Sequence, residues 1–216
     1  MSTNSPRWET EEQQPSGADG RTLTSRGVRT RGAILEAAES VFAEHGYHDA
    51  SIVKITEAAS VAQGTFYLYF ESKQQVFNEL VRDLNRRVRH AMSERAAQAR
   101  TRAERERLGF RGYFEFVAEH PALYRIIRQA EIVAPDILRE HYERISKGYV
   151  DGLRAAMATG EIGESDPQVL SWILMGIGEI VGARWVLWGE TDTVPDDVFE
   201  NVMRFIERGL ASREEM

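Results

Sequence analysis

The chain of 216 residues contains no cysteine. Neither disulfide bonds nor thiolate-bound metal ions are therefore available to it. Its five histidines form no H-E-x-x-H pattern, so the sequence predicts no metal site, and nothing in it indicates a cofactor. No G-x-S-x-G motif occurs, and the carboxylates fall on ordinary helix surfaces. We therefore expect no enzymatic activity.

Long uncharged hydrophobic runs are also missing. The most apolar stretch, residues 169–188, contains Glu179 and Arg184, which argues against a membrane span. The N-terminus is polar and carries no apolar signal-peptide core, so we expect the protein to be cytoplasmic. Residues 1–25 contain so few apolar side chains that we expect them to be a disordered arm.

An excess of basic charge, the simplest signature of a nucleic-acid-binding protein, is absent as well. The net charge is -7 at pH 7. Residues 26–89 carry nine Lys and Arg against eight Asp and Glu, whereas residues 110–216 carry eleven against nineteen. A nearly neutral segment can still bind phosphate through a local patch, so total charge does not exclude DNA as a partner.

What the sequence does contain is helical periodicity along nearly its whole length. Apolar residues recur at helical spacing, and no segment has the alternation typical of a strand ladder. We therefore predict an all-α fold. The nine predicted helices lie near residues 34–45, 52–59, 63–70, 73–92, 108–120, 121–128, 135–159, 167–188 and 195–210.

Residues 51–70 are the most informative stretch and predict two short helices joined by a turn. Ser51 is a good N-cap for the first, and Ser60 in the turn must adopt a backbone conformation that glycine normally takes. Phe66 and Phe70, four residues apart, can anchor the second helix. Its remaining polar side chains then point outward, where hydroxyl and amide groups suit phosphates and base edges in a major groove.

A new helix is predicted to start at Ser72, which forms an S-x-x-Q capping box with Gln75. Lys73 lies in its first turn, where the helix dipole disfavours a cation. A DNA phosphate near Lys73 would reverse that preference. The predicted DNA-binding residues are Ser51, Lys54, Gln63, Gly64, Thr65, Tyr67, Leu68, Tyr69 and Lys73.

The stretch from Arg31 to Leu80 resembles the TetR family of transcriptional regulators. The resemblance rests on Ile34-Leu35-x-Ala37-Ala38, Val41-Phe42-Ala43-Glu44-His45-Gly46-Tyr47, Ile55-x-x-Ala58-Ala59, Val61, Gly64-Thr65-Phe66-Tyr67, Phe70 and Ser72-Lys73. It implies a dimeric, all-helical repressor that a small molecule releases from DNA. Two positions depart from the family pattern: Ser60 replaces the usual glycine, and Leu68 replaces a frequent aromatic residue.

The resemblance also implies a division of labour along the chain. We predict a helix-turn-helix DNA-binding domain at residues 26–75 and a helical ligand-binding and dimerisation domain at residues 76–216. Aromatic residues in the later helices normally fill a core, but here several are expected to line a ligand pocket. The predicted pocket residues are Phe110, Tyr113, Phe114, Tyr124, Arg128, Tyr149, Leu153, Trp172 and Met175. They favour an apolar or amphipathic effector, such as a fatty acid or an acyl thioester.

The eighth and ninth helices are predicted to form a homodimer as a symmetric four-helix bundle. Glycines at 176, 178 and 182 would let a partner helix approach closely. The predicted interface residues are Gly178, Val181, Gly182, Trp185, Val186, Phe199, Met203 and Ile206. The expected partners are double-stranded DNA, the effector and a second copy of the chain. A helical small-molecule-binding or scaffold protein without DNA binding is the alternative, and an enzyme is a remote third.

Overall fold

The structure, a computed structural model, describes residues 16–189 and 193–211. Within these ranges every regular element is a helix, apart from an isolated bridge between Ser16 and Thr22. The all-α prediction is therefore confirmed. The helices are α1 (Ser25–Asp49), α2 (Ile52–Ala58), α3 (Gln63–Phe66), α4 (Lys73–Ala96), α5 (Arg102–Glu119), α6 (Ala122–Val133), α7 (Pro135–Ala158), α8 (Pro167–Gly182) and α9 (Asp196–Leu210).

The eighth predicted helix ends differently from the expectation. It is α-helical only to Gly182 and continues as a π-helical turn, Ala183–Leu187. The Trp188 N–H donates to the Ala183 carbonyl oxygen at 3.0 Å across this turn. By length and composition alone, Pro167–Leu187 is apolar enough to cross a membrane, a property that core helices of soluble proteins share.

The chain divides into two compact units. Unit 1 consists of the described residues up to Leu84 together with Arg125–Arg139, and unit 2 of Asn85–Tyr124 with the described residues from Glu140 onward. The predicted domain boundary lies at residue 75. Unit 1 extends beyond it to Leu84 and also includes most of α6. The Gln129 side-chain amide donates to the Phe42 carbonyl oxygen at 3.2 Å and connects α6 to α1.

Unit 1 has an aromatic core built from helices that are far apart in sequence. Phe42 of α1 and Phe77 of α4 are fully buried, and their rings meet edge to face at 5.1 Å. Arg31 donates to a Glu79 carboxylate oxygen at 2.9 Å and lies over the Phe70 ring. These contacts fix α1 against α4 and hold the residues between them.

The segment before α1 is ordered where a disordered arm was predicted. The Gly17 N–H donates to the Arg21 carbonyl oxygen at 2.9 Å and closes a turn. The Ala18 N–H donates to the Leu68 carbonyl oxygen at 3.0 Å, and the Thr24 hydroxyl caps α1. Backbone hydrogen bonds therefore order residues 16–24 without any apolar core, and residues 1–15 lie outside the described residues.

Unit 2 is built around one apolar cluster formed by α5, α7, α8 and α9. Its buried members are Phe110, Phe114, Leu153, Ala156, Ile162, Leu174, Phe199, Met203, Ile206 and Leu210. A buried ion pair between Arg102 and Glu106 lies at the start of α5, and burial raises the pKa of the Glu106 carboxyl. The buried Asn85 amide donates to His141 Nδ1 at 3.0 Å.

Candidate functional site

The turn between α2 and α3 has the backbone that the sequence predicted. The Ser51 hydroxyl accepts a hydrogen bond from the Lys54 N–H at 3.2 Å and caps α2. Ser60 has a φ of 55°, the left-handed conformation that glycine adopts more easily. Both predictions are confirmed. The turn directs the chain from α2 into α3.

Two fully buried phenylalanines hold α3 in place. The rings of Phe66 and Phe70 lie 5.6 Å apart, and both side chains have no exposed surface. The predicted helix over residues 63–70 was too long, because α3 ends at Phe66. The N–H groups of Tyr69 and Phe70 both donate to the Phe66 carbonyl oxygen at 2.9 Å, so a tight turn replaces the second half of the helix.

The predicted DNA-binding residues differ in how much surface they offer. Exposed among them are Lys54, Gln63, Gly64, Tyr67 and Leu68, whereas Ser51, Thr65, Tyr69 and Lys73 are half-buried. Leu68 is 65% exposed, which suits an apolar contact. Val53, which was not among the predicted residues, is 48% exposed beside Lys54.

Lys73 has partners inside the protein that the prediction did not foresee. Its ammonium donates to the carbonyl oxygens of Tyr47 at 2.7 Å and Ala50 at 2.8 Å, and more distantly to that of His48. It also lies 4.4 Å from the centre of the Tyr47 ring. These carbonyls at the end of α1 offset the unfavourable helix dipole without a phosphate. A phosphate contact by Lys73 stays a prediction.

The predicted pocket residues do not all lie in one place. Phe110, Phe114 and Leu153 are buried in the unit 2 cluster, and Tyr113 and Tyr149 pack against it. Tyr124 is buried as well. Trp172 is 44% exposed on the outward side of α8, and Met175 is half-buried. Arg128 is exposed and belongs to unit 1. The Trp172 ring packs against Tyr142, and neither Trp172 nor Arg128 is a member of the cluster, so their place in a ligand pocket stays a prediction.

Five predicted dimer-interface residues turn inward within their own chain. Phe199, Met203 and Ile206 are buried in the unit 2 cluster. Gly178 faces the rings of Phe110 and Tyr113, and Gly182 faces Tyr113 and Tyr124. Within one chain, the apolar face of α9 and the glycines of α8 therefore contact the core, and a role of these five residues in a dimer interface stays a prediction. Val181, Trp185 and Val186 are half-buried.

Several large apolar residues of α8 and α9 are exposed. They are Val169, Trp172, Ile173, Ile180 and Phe205, and Trp188 directly after the π-helical turn is exposed as well. Phe205 is 69% exposed and Ile180 is 58% exposed. Large exposed apolar side chains mark an interaction site where they form one patch.

The interior of unit 2 also holds a small polar group. The hydroxyls of Tyr113 and Tyr124 are 3.0 Å apart, and the Tyr142 hydroxyl donates to a Glu179 carboxylate oxygen at 2.8 Å. Burial is the main cause that raises the pKa of Tyr113 and Tyr124, and the charge of Glu179 adds to it. Both tyrosines are therefore neutral hydrogen-bond donors near pH 7.

Residues 34–80 match the family described as bacterial regulatory proteins, tetR family. The chain is 31% identical over 160 residues to the fatty acid metabolism regulator protein of Bacillus subtilis (strain 168), covering 71% of this chain and 82% of that protein. It is 27% identical over 192 residues to the HTH-type transcriptional regulator TcmR of Streptomyces glaucescens, covering 82% of each.

Solved structures show the same fold. The transcriptional regulator FadR from Bacillus subtilis in complex with stearoyl-CoA has a TM-score of 0.72 and 25% sequence identity, over 83% of this chain and 98% of that chain. The fatty acid degradation regulator FadR from Bacillus halodurans has a TM-score of 0.76 at 24% identity, over 88% of this chain and 98% of that chain.

Proposed function

Because the chain belongs to the TetR family of DNA-binding transcriptional regulators, we propose that it is a repressor that a long-chain acyl effector releases from an inverted-repeat operator. The observation that carries the DNA-binding part is the anchoring of α3. Phe66 and Phe70 are fully buried. Gln63, which precedes them, is exposed, and so are Tyr67 and Leu68, which lie between them in the sequence. An anchored short element that presents these side chains to solvent has the geometry that can contact base edges in a DNA groove.

The operator is proposed to be an inverted repeat because the repressor is proposed to be a homodimer. The exposed apolar residues of α8 and α9, among them Ile173, Ile180 and Phe205, supply the surface for a two-fold contact. In a two-fold dimer each subunit uses the same patch, so the two reading elements are related by the same axis. Related half-sites in the DNA follow from that symmetry.

The proposed effector follows from the chemistry of unit 2. Phenylalanine and aliphatic side chains make up the cluster around Phe110, Phe114 and Leu153, and Tyr113 and Tyr149 pack against it. Surfaces of this kind favour a long apolar ligand. The related FadR of Bacillus subtilis was solved in complex with stearoyl-CoA, a long-chain acyl thioester.

Release from DNA requires that the effector bind the DNA-free conformation better than the DNA-bound one. An affinity ratio of about 100 corresponds to about 2.7 kcal/mol of coupling between the two sites. The continuous helix α4 contains residues of both units, since it begins at Lys73 in unit 1 and ends at Ala96 in unit 2. We assign it the role of transmitting the change. The protein is proposed to act in the cytoplasm, by binding alone and without catalysis.

The experiment is operator binding followed by fluorescence anisotropy on DNA that flanks its own gene, across a series of salt concentrations. Gln63→Ala is expected to relax base preference by about 1–3 kcal/mol at one position in each half-site. Gln98→Ala, an equally exposed glutamine in unit 2, is the matched control and should leave preference unchanged.

Palmitoyl-coenzyme A added to the complex should lower operator affinity by about 100-fold. If the protein binds this ligand but no DNA at any salt concentration, the alternative of a ligand-binding protein without DNA binding is correct. If it binds the operator and the ligand independently, the repressor assignment stands and the release mechanism is refuted.

A further inference from the structure

Two tyrosine hydroxyls meet beside the apolar cluster of unit 2, where Tyr124 is buried and Tyr113 is half-buried. Tyr113 comes from α5 and Tyr124 from the first turn of α6, and their oxygens are 3.0 Å apart. Tyr124 is 4% exposed, and the Tyr113 ring packs against the apolar cluster. Two phenylalanines would fill almost the same space without burying a polar group, so packing alone does not explain the hydroxyls.

Helix α8 is shaped around these two rings. A Cβ atom at Gly182 would overlap the Tyr124 hydroxyl oxygen, whereas one at Gly178 would lie at an ordinary contact distance of 3.5 Å from a Tyr113 ring carbon. Glycine weakens a helix interior, and α8 contains both glycines one turn apart on this side. The π-helical turn begins directly after Gly182, and such turns occur frequently at functional sites. The surroundings thus accommodate the hydroxyl pair at a cost to helix stability.

The hydroxyls of Tyr113 and Tyr124 carry one more hydrogen than the hydrogen bond between them uses. Each hydroxyl carries one hydrogen, and the bond between the two oxygens consumes a single one. No other hydrogen bond to either hydroxyl occurs in the described part of the chain. One donor is therefore left without an acceptor in an interior where an unused donor is unfavourable.

We propose, on the basis of the acyl effector put forward above, that this leftover donor binds the carbonyl oxygen of the effector and that the site selects an acyl thioester over a free fatty acid. A thioester carbonyl is a neutral acceptor, which matches a neutral hydroxyl in an apolar environment. The tyrosine pair is the polar anchor of the effector site, and the acyl chain lies against the apolar side chains that surround the pair.

Glu179 provides the selection against a carboxylate. It follows Gly178 in α8, and its carboxylate accepts the Tyr142 hydroxyl hydrogen at 2.8 Å. Its negative charge acts on both tyrosines of the pair. A fatty-acid carboxylate at the pair would experience repulsion from the half-buried Glu179 carboxylate, whereas a thioester carbonyl carries no net charge.

The test compares palmitoyl-coenzyme A with S-hexadecyl-coenzyme A, a thioether of similar length that lacks only the carbonyl oxygen. Calorimetry on the full chain should give about tenfold tighter binding of the thioester, which is about 1.4 kcal/mol. In the double variant Tyr113→Phe/Tyr124→Phe the two ligands should bind equally. Tyr47→Phe, which removes a hydrogen-bonded hydroxyl from unit 1, is the matched control and should keep the preference.

A second arm tests the role of Glu179. Glu179→Gln should strengthen palmitate binding several-fold more than it strengthens palmitoyl-coenzyme A binding. Equal effects on the two ligands would overturn the selection against carboxylates. If the unaltered protein binds thioester and thioether equally well and both release DNA, the polar anchor is refuted while the acyl-regulated repressor stands. If neither ligand binds, the anchor and the proposed effector class are both wrong.

Discussion

Replacing Gly182 by alanine is the most direct test of how α8 packs. The backbone at this residue is helical, with φ of -59° and ψ of -45°, so alanine is conformationally acceptable. Its Cβ atom, however, would overlap the Tyr124 hydroxyl oxygen and lie 3.2 Å from the ring carbon that bears it. Because Tyr124 is 4% exposed, its ring has little room to move away.

The expected change in the free energy of unfolding follows from two opposing contributions. Adding a methyl group to a filled interior costs about 1–3 kcal/mol, and replacing glycine by alanine within a helix recovers about 0.5–1 kcal/mol. Gly182→Ala should therefore lower the free energy of unfolding by about 1–2 kcal/mol. Gly178→Ala is the matched control, because a Cβ there would lie 3.4–3.6 Å from its neighbours, an ordinary contact distance. It should be neutral or stabilise by up to about 1 kcal/mol.

The measurement is urea unfolding at fixed protein concentration, repeated in a Tyr124→Phe background. Removing the hydroxyl removes the atom that the new methyl group meets, so Gly182→Ala should cost about 1 kcal/mol less in that background. Equal stability of the two alanine variants would refute the packing described here. Dissociation of the dimer by either variant, without loss of subunit stability, would instead return these glycines to the subunit interface.

Three further predictions concern other parts of the molecule. Lys73→Ala should lower the free energy of unfolding by about 1–3 kcal/mol, because it leaves carbonyl groups at the end of α1 unpaired. If Lys73 also contacts a DNA phosphate, the variant should reduce the slope of operator affinity against salt concentration by about one unit per subunit. An unchanged slope would exclude that contact. Phe205→Glu should convert the proposed dimer into a folded monomer, because Phe205 is 69% exposed within its own subunit. Light scattering measures the mass, and a dimer that persists would exclude the outer face of α9 from the interface. Burial and the nearby Arg89 lower the pKa of His141 from 6.5 to about 4. The unfolded chain therefore binds the proton more tightly, and the free energy of unfolding should fall as the pH drops from about 6.5 towards 4. His141→Gln should remove this pH dependence in urea unfolding, and a dependence as steep as that of the unaltered protein would contradict the prediction.

Sequence alone was sufficient where the interacting groups are close together along the chain. The cap by Ser51, the left-handed Ser60 and the bond from the Gln75 N–H to the Ser72 hydroxyl each involve residues within a few positions. Phe66 and Phe70 were likewise identified as anchors from their spacing. In each case the local backbone fixes the geometry, so the residue type and its position carry the information.

Sequence failed where the deciding partner lies far away along the chain. The carbonyls that bind Lys73 come from 23 to 26 residues earlier, and the Leu68 carbonyl that orders the N-terminal turn lies 50 residues from Ala18. Helix α8 posed a different problem. It is apolar nearly all round, so periodicity does not distinguish its inner side from its outer side. The contact of Gly182 with Tyr113 and Tyr124 was therefore not predicted.

The assignment of α6 to unit 1 has a consequence for engineering. A chimeric regulator is usually made by cutting one chain after its DNA-reading segment and joining the piece to another sensor. Here such a cut would discard Gln129, whose amide binds the Phe42 carbonyl, and the Val133 carbonyl, which accepts a hydrogen bond from Gln74. A transplant that keeps its stability must therefore carry residues 125–139 along with the first 84, as two grafted pieces rather than one.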